Sequence, residues 1–148
     1  MRKAERNLRV SEIVIDASVL LKAYFRDEQG HTEAQELVKF YARGDYSFSA
    51  PSLIIYEIIN ACSIAHRKGR IQLGLAIQVM EEMVSLEIQK VDVAHLKGRI
   101  FEISCEFNQS AYDASYIALA EAQNCPFITG DTKLFRTASK HFPFIKLL

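Results

Sequence analysis

The chain has 148 residues, 49% of them apolar and 24% charged, with 18 basic and 18 acidic side chains. That length holds one well-buried core and is short for two domains. No run nears the roughly 18 apolar residues of a membrane helix, and the charged start MRKAERNLRVSE lacks the apolar stretch of a secretory signal, so the expectation is a cytoplasmic protein without membrane contact.

Residues 1–11 form a polar lead-in, with one continuous domain expected over 12–148. Glu12 to Asp16 (EIVID) is a short β-branched run ending in an acid and reads as a buried strand. Ser18 to Phe25 and His31 to Ala42 carry helical patterns, the second stopping before Gly44. Tyr46 to Ser49 is a strand candidate. It runs into Pro51, expected in the first turn of a helix that reaches Lys68 and is capped near Gly69. Further helices are expected over Ile71 to Val84, over Val93 to Phe107, from Ser110 to about Gln123, and over Thr132 to Lys140. Between and after them Glu87 to Val91, Pro126 to Thr129 and Phe144 to Leu147 read as strands. Strands alternating with helices predict an α/β three-layer sandwich, a mainly parallel five-stranded sheet flanked by helices. Ligands of such sheets bind beyond the carboxyl ends of the strands.

Cys62, Cys105 and Cys125 form no Cys-x-x-Cys pair and, being odd in number, no disulfide framework; each reads as a small core residue. His31, His66, His95 and His141 have no zinc spacing and read as surface residues.

Four acids stand out by position. Asp16 closes the first strand, Asp131 follows the PFITG strand, Asp113 lies in the first turn of the Ser110 helix, and Glu57 lies within the Pro51 helix. Each has an ordinary structural alternative: Asp131 an N-cap, and Asp113 one half of a Ser110-x-x-Asp113 capping box. Asp16 and Glu57 are harder to explain that way. A carboxylate at the mouth of a buried strand, or in the nearly all-apolar PSLIIYEIINACSIA, needs a compensating partner. Asn60 shares a helix face with Glu57. Four carboxylates at one edge would raise one another's pKa, and a hard divalent cation relieves that conflict. Oxygen donors without His or Cys favour Mg²⁺ or Mn²⁺ over zinc, and such sites suit phosphodiester hydrolysis. With four acids withdrawn, 18 basic residues face 14 acidic ones. Lys133, Arg136, Lys140 and Lys146 near the end, and Arg67, Lys68 and Arg70, form patches fit for a phosphate backbone.

The segments VIDASVLLKAYF, APSLIIYEIINAC and AYDASYIALAEAQNCPFITGD, in this order and spacing over residues 12–148, resemble the PIN domain, in particular the toxin ribonucleases of VapBC-type toxin–antitoxin pairs. The resemblance implies that Asp16, Glu57, Asp113 and Asp131 are metal-binding acids, supported by Ser18, Asn60 and Thr129. It further implies an RNA substrate, a homodimer and a small antitoxin partner. A haloacid-dehalogenase-like phosphatase would want a second Asp where Ser18 stands, and a phosphorelay receiver an acidic pair at the first strand. A catalytically silent PIN-like module binding RNA or protein is the alternative to an enzyme.

Overall fold

The computed structural model describes residues 10–148; most of the expected lead-in lies outside them. Five strands, β1 (Ser11–Ile15), β2 (Tyr46–Pro51), β3 (Gln89–Val91), β4 (Phe127–Thr129) and β5 (Ile145–Leu147), form one wholly parallel sheet in the order β3-β2-β1-β4-β5. The helices are α1 (Ala17–Tyr24), α2 (His31–Ala42), α3 (Ile54–Arg67), α4 (Leu73–Ser85), α5 (Lys97–Glu106), α6 (Ala111–Gln123) and α7 (Thr132–Ala138). From β1 the chain builds outward through β2 and β3, then crosses to the other side of β1 to lay down β4 and β5. The topological switch therefore falls between β1 and β4, where α/β sheets open a ligand crevice.

Ile13, Val14 and Ile15 are buried on both faces of the sheet, as a continuous apolar run in a parallel strand requires. Helix α6 is buried along Ala114–Ala120. Its alanines let its backbone approach β1, β2 and β4, and the Tyr116 ring stacks on Phe127 at 5.6 Å. No helix among the described residues is long and apolar enough to cross a membrane.

Several expectations change. Pro51 ends β2, in register with Val91, and does not open a helix; pairing of β2 with β1 has already ended at Ser49. Helix α3 starts at Ile54, which moves Glu57 into a first turn, where the helix dipole favours an acid. Val93–Phe107 divides into a 3₁₀ turn, Ala94–Leu96, followed by α5. Cys105 is exposed while Cys62 and Cys125 are buried, because α5 turns only Ile103 fully inward. His31 and His66 are half-buried, each with Nδ1 against a backbone carbonyl, of Lys22 at 2.7 Å and Ile71 at 3.1 Å.

Candidate active site

Asp16 follows the last residue of β1 and caps α1. Its Oδ1 accepts from the Ser18 backbone N–H at 3.1 Å and from the Ser18 hydroxyl, and its Oδ2 accepts from Thr129 Oγ1 at 2.6 Å. Both hydroxyls are themselves held by the β4 turn. Gly130 N–H donates to Ser18 Oγ at 2.8 Å, and Asp131 N–H donates to Thr129 Oγ1 at 3.0 Å. The side chains at 18 and 129 thus tie β1 to β4 across the switch point, with Asp16 at the centre. Burial overrides these stabilising bonds and pushes the Asp16 carboxyl up to about 6.

Gly130 is fixed by the same closeness. A Cβ there would lie 2.6 Å from Lys22 Cε, 2.8 Å from Lys22 Cδ and 3.2 Å from Ser18 Oγ. Lys22 crosses this turn to donate to the Gln29 carbonyl at 2.7 Å. It is absent from the Asp16 hydrogen-bond partners, so α1 supplies that acid with no counter-ion.

Glu57 faces the same edge from α3. Burial raises its carboxyl first, with the nearby Asp16 charge adding to it, to about 7. Its Oε1 is buried and has no hydrogen-bond partner among the described residues, and neither has the fully buried Tyr116 hydroxyl. The two groups are close enough to influence each other's ionisation, yet no hydrogen bond of ordinary geometry closes between them. Orphaned buried oxygens are rare because each forfeits its hydration.

Asp113 enters from the first turn of α6. Ser110 Oγ accepts from its backbone N–H at 3.0 Å, the expected cap. Burial pushes its carboxyl upward, and the Asp131 charge adds to that while Lys133 opposes it. Asp131 is exposed and caps α7, its Oδ1 accepting from Lys133 N–H at 2.9 Å and Leu134 N–H at 3.1 Å. The ordinary N-cap role is therefore realised at this position.

The four acids are brought to one edge of the sheet. Asp16, Glu57 and Asp113 influence one another electrostatically, and Asp131 reaches the group through Asp113. Among the described residues, however, no three His, Cys, Asp or Glu side chains stand in direct metal-binding geometry. The donor set nevertheless fits a hard divalent cation: all oxygen, with raised carboxyls and one orphaned oxygen on Glu57. Asn60 is exposed and lines the cleft with Glu57 and Asp113. Of the basic patches, Arg70 is engaged, binding both oxygens of Asp27 at 2.8 and 2.9 Å and Glu28 at 3.2 Å. Sequence reasoning missed Tyr116 and Gly130. Tyr116 is three residues past Asp113, one helical turn on, and that spacing was its available signal.

A family model described as PIN domain matches residues 13–140. Ribonuclease VapC9 of Mycobacterium tuberculosis is 33% identical over 131 residues, which cover 88% of this chain and 94% of that protein. Among solved structures, PAE2754 from Pyrobaculum aerophilum superposes with a TM-score of 0.65 at 24% identity, covering 86% of each chain. VapBC2 from Rickettsia felis, bound to a DNA fragment from its promoter, gives 0.60 at 14% identity over 93% of this chain and 97% of that one. The family match runs from within β1 past β4 and takes in Asp16, Glu57, Asp113 and Asp131: this chain belongs to the PIN-domain family.

Proposed function

We propose that the chain is an endoribonuclease of the VapC toxin kind, one nuclease domain over residues 12–148. It hydrolyses RNA phosphodiester bonds with Mg²⁺ or Mn²⁺ held by Asp16, Glu57, Asp113 and Asp131. The observation that carries this is the orphaned, buried Glu57 Oε1 beside two further raised carboxyls. Such a cluster is unfavourable in the protein alone and is relieved by a divalent cation. When bound, the cation supplies a water of lowered pKa and neutralises charge that builds up on phosphate.

The protein's own contribution is positioning. Ser18 and Thr129 hold both Asp16 oxygens, so its carboxylate is pre-oriented at the crevice. Asn60 supports from the cleft wall. A basic antitoxin segment would complement the acidic edge. A homodimer belongs to the same reading, supported by α4, which exposes Leu73, Leu75 and Ile77.

Purified protein should cleave single-stranded or loop RNA with Mg²⁺ or Mn²⁺, and EDTA should abolish the cleavage. Asp16→Asn should lower the rate by several orders of magnitude. Undiminished cleavage by that variant removes Asp16 from the site, and no cleavage by the wild type under any divalent ion leaves a binding module.

A further inference from the structure

The cleft that holds two of the carboxylates also carries exposed rings that hydrolysis itself does not require. A cavity of about 620 Å³ opens between α3 and the start of α6, with Tyr56, Glu57, Asn60, Ser110, Tyr112 and Asp113 in its wall. Tyr56 is 74% exposed and Tyr112 is 68% exposed. The other four tyrosines, Tyr24, Tyr41, Tyr46 and Tyr116, are buried or half-buried. Tyr56 immediately precedes Glu57, and Tyr112 immediately precedes Asp113. Consecutive helical residues point about 100° apart, so an acid turned toward the sheet edge leaves its neighbouring ring at the lip of the cleft.

Two large rings left in water forgo burial that the fold exploits elsewhere. Every base has a π-face, and an exposed aromatic ring is the side chain on which bases stack irrespective of sequence. Among the described residues no Lys or Arg lines the cavity, so its wall offers stacking and hydrogen bonding in preference to a grip on the phosphates of a duplex. Bases inside an A-form helix are stacked on one another and closed to side chains; unpaired ones are available. Asn60 and Ser110 offer an amide and a hydroxyl to a base edge in the same cavity.

We infer that Tyr56 and Tyr112 form a stacking platform for unpaired nucleobases of an RNA strand that runs past the carboxylates. The inference takes its substrate class from the nuclease reading. It adds the side chains that select unpaired RNA, two rings that take no part in hydrolysis.

The chain has no tryptophan, so tyrosine emission reports stacking directly. The full chain is titrated in EDTA with a single-stranded oligoribonucleotide of about eight nucleotides, within the usual site sizes of stacking grooves. The strand should quench the emission, and its duplex should not. In Tyr56→Phe/Tyr112→Phe the quench should vanish while affinity, read by anisotropy of a labelled strand, stays within about twofold, because phenylalanine keeps the π-face. Tyr56→Ala and Tyr112→Ala should each weaken binding about tenfold or more, with melting temperature unchanged. Wild-type affinity in both alanine variants, or equal quenching by duplex, overturns the proposal; the former outcome assigns the rings to a protein partner. Cleavage with Mg²⁺ is a separate readout of the acids. Tyrosine-dependent binding without cleavage rejects the nuclease reading alone, whereas cleavage with an unaltered KM in the alanine variants rejects the platform alone.

Discussion

Titrating the metal-free protein from about pH 4 to about pH 8 tests the crowded carboxylates most directly. Asp16 is 7% exposed, and its carboxyl is raised from 3.8 to about 6. At 1.36 kcal/mol per pKa unit that amounts to about 3 kcal/mol. The sign follows from linkage. A carboxyl whose folded pKa lies above its unfolded value favours the fold while protonated. That contribution is complete below about 3.8, is lost as pH climbs through about 6, and above that the fold bears the whole cost of a buried charge. Glu57, raised to about 7, acts in the same direction and extends the window upward; its coupling to Asp16 prevents simple addition of the two costs. Asp27 has the opposite sense, since the Arg70 guanidinium holds it below the usual range and its stabilisation fades as pH falls. The variant Asp16→Asn isolates the effect, because asparagine caps a helix as well as aspartate and carries no charge. In EDTA the variant should gain on the wild type by about 3 kcal/mol between the two pH values, or about 6–12 °C in melting temperature for a chain of this size. Calorimetry or urea denaturation across the range measures it. Parallel pH profiles for variant and wild type would refute the reasoning, since they mean that Asp16 does not ionise at a cost in the fold.

Two further substitutions test the turn between β4 and α7. Gly130→Ala should lower stability by about 1–3 kcal/mol, as overpacking does, and slow cleavage, since the new methyl displaces Lys22 and presses on Ser18 Oγ; urea denaturation and a cleavage assay check both, and an unaltered protein would mean that the turn yields freely. Asp131→Ala should cost about 1 kcal/mol in EDTA through its two lost cap bonds, while Asp131→Asn should keep the stability. Both should lose cleavage and most of the melting-temperature rise that Mg²⁺ gives the wild type, and full activity in Asp131→Asn would reduce Asp131 to a cap.

Strand and helix periodicity was legible wherever one residue's neighbours decide its burial. EIVID and PFIT read as buried strands because each holds a short apolar run, Ile13–Ile15 and Phe127–Ile128, and the cap at Ser110 followed from its own three-residue spacing. Pro51 was misplaced because proline suits both a helix start and a strand end; the pairing of Val91 with β2, forty residues on, decides between them. Cys105 failed for a similar reason, since its apolar neighbours in sequence lie on different sides of α5. The acids were singled out by two strand ends, a helix start and a nearly all-apolar helix, but their ties were not legible there. Ser18 to Gly130 spans 112 positions, and nothing local announces that bond. Tyr116 resembled any core aromatic, and only its position against Glu57 distinguishes it.

The site's two halves are held in unequal ways. Both oxygens of Asp16 are bonded, and the donors are anchored in turn by Gly130 N–H and Asp131 N–H, so moving Asp16 means parting β1 from β4. Glu57 has an oxygen that no described group hydrogen-bonds and sits on the first turn of α3, outside the sheet. A rigid acid on the sheet and a free one on a helix make a site whose spacing is set by how α3 lies against the strands. Glu57 and Asp113 are carried on α3 and α6, so their distance from Asp16 follows the seating of those helices on the sheet. The fold bears this unrelieved crowding at neutral pH because the surrounding core, from Val14 to Phe127, is continuous and closely packed.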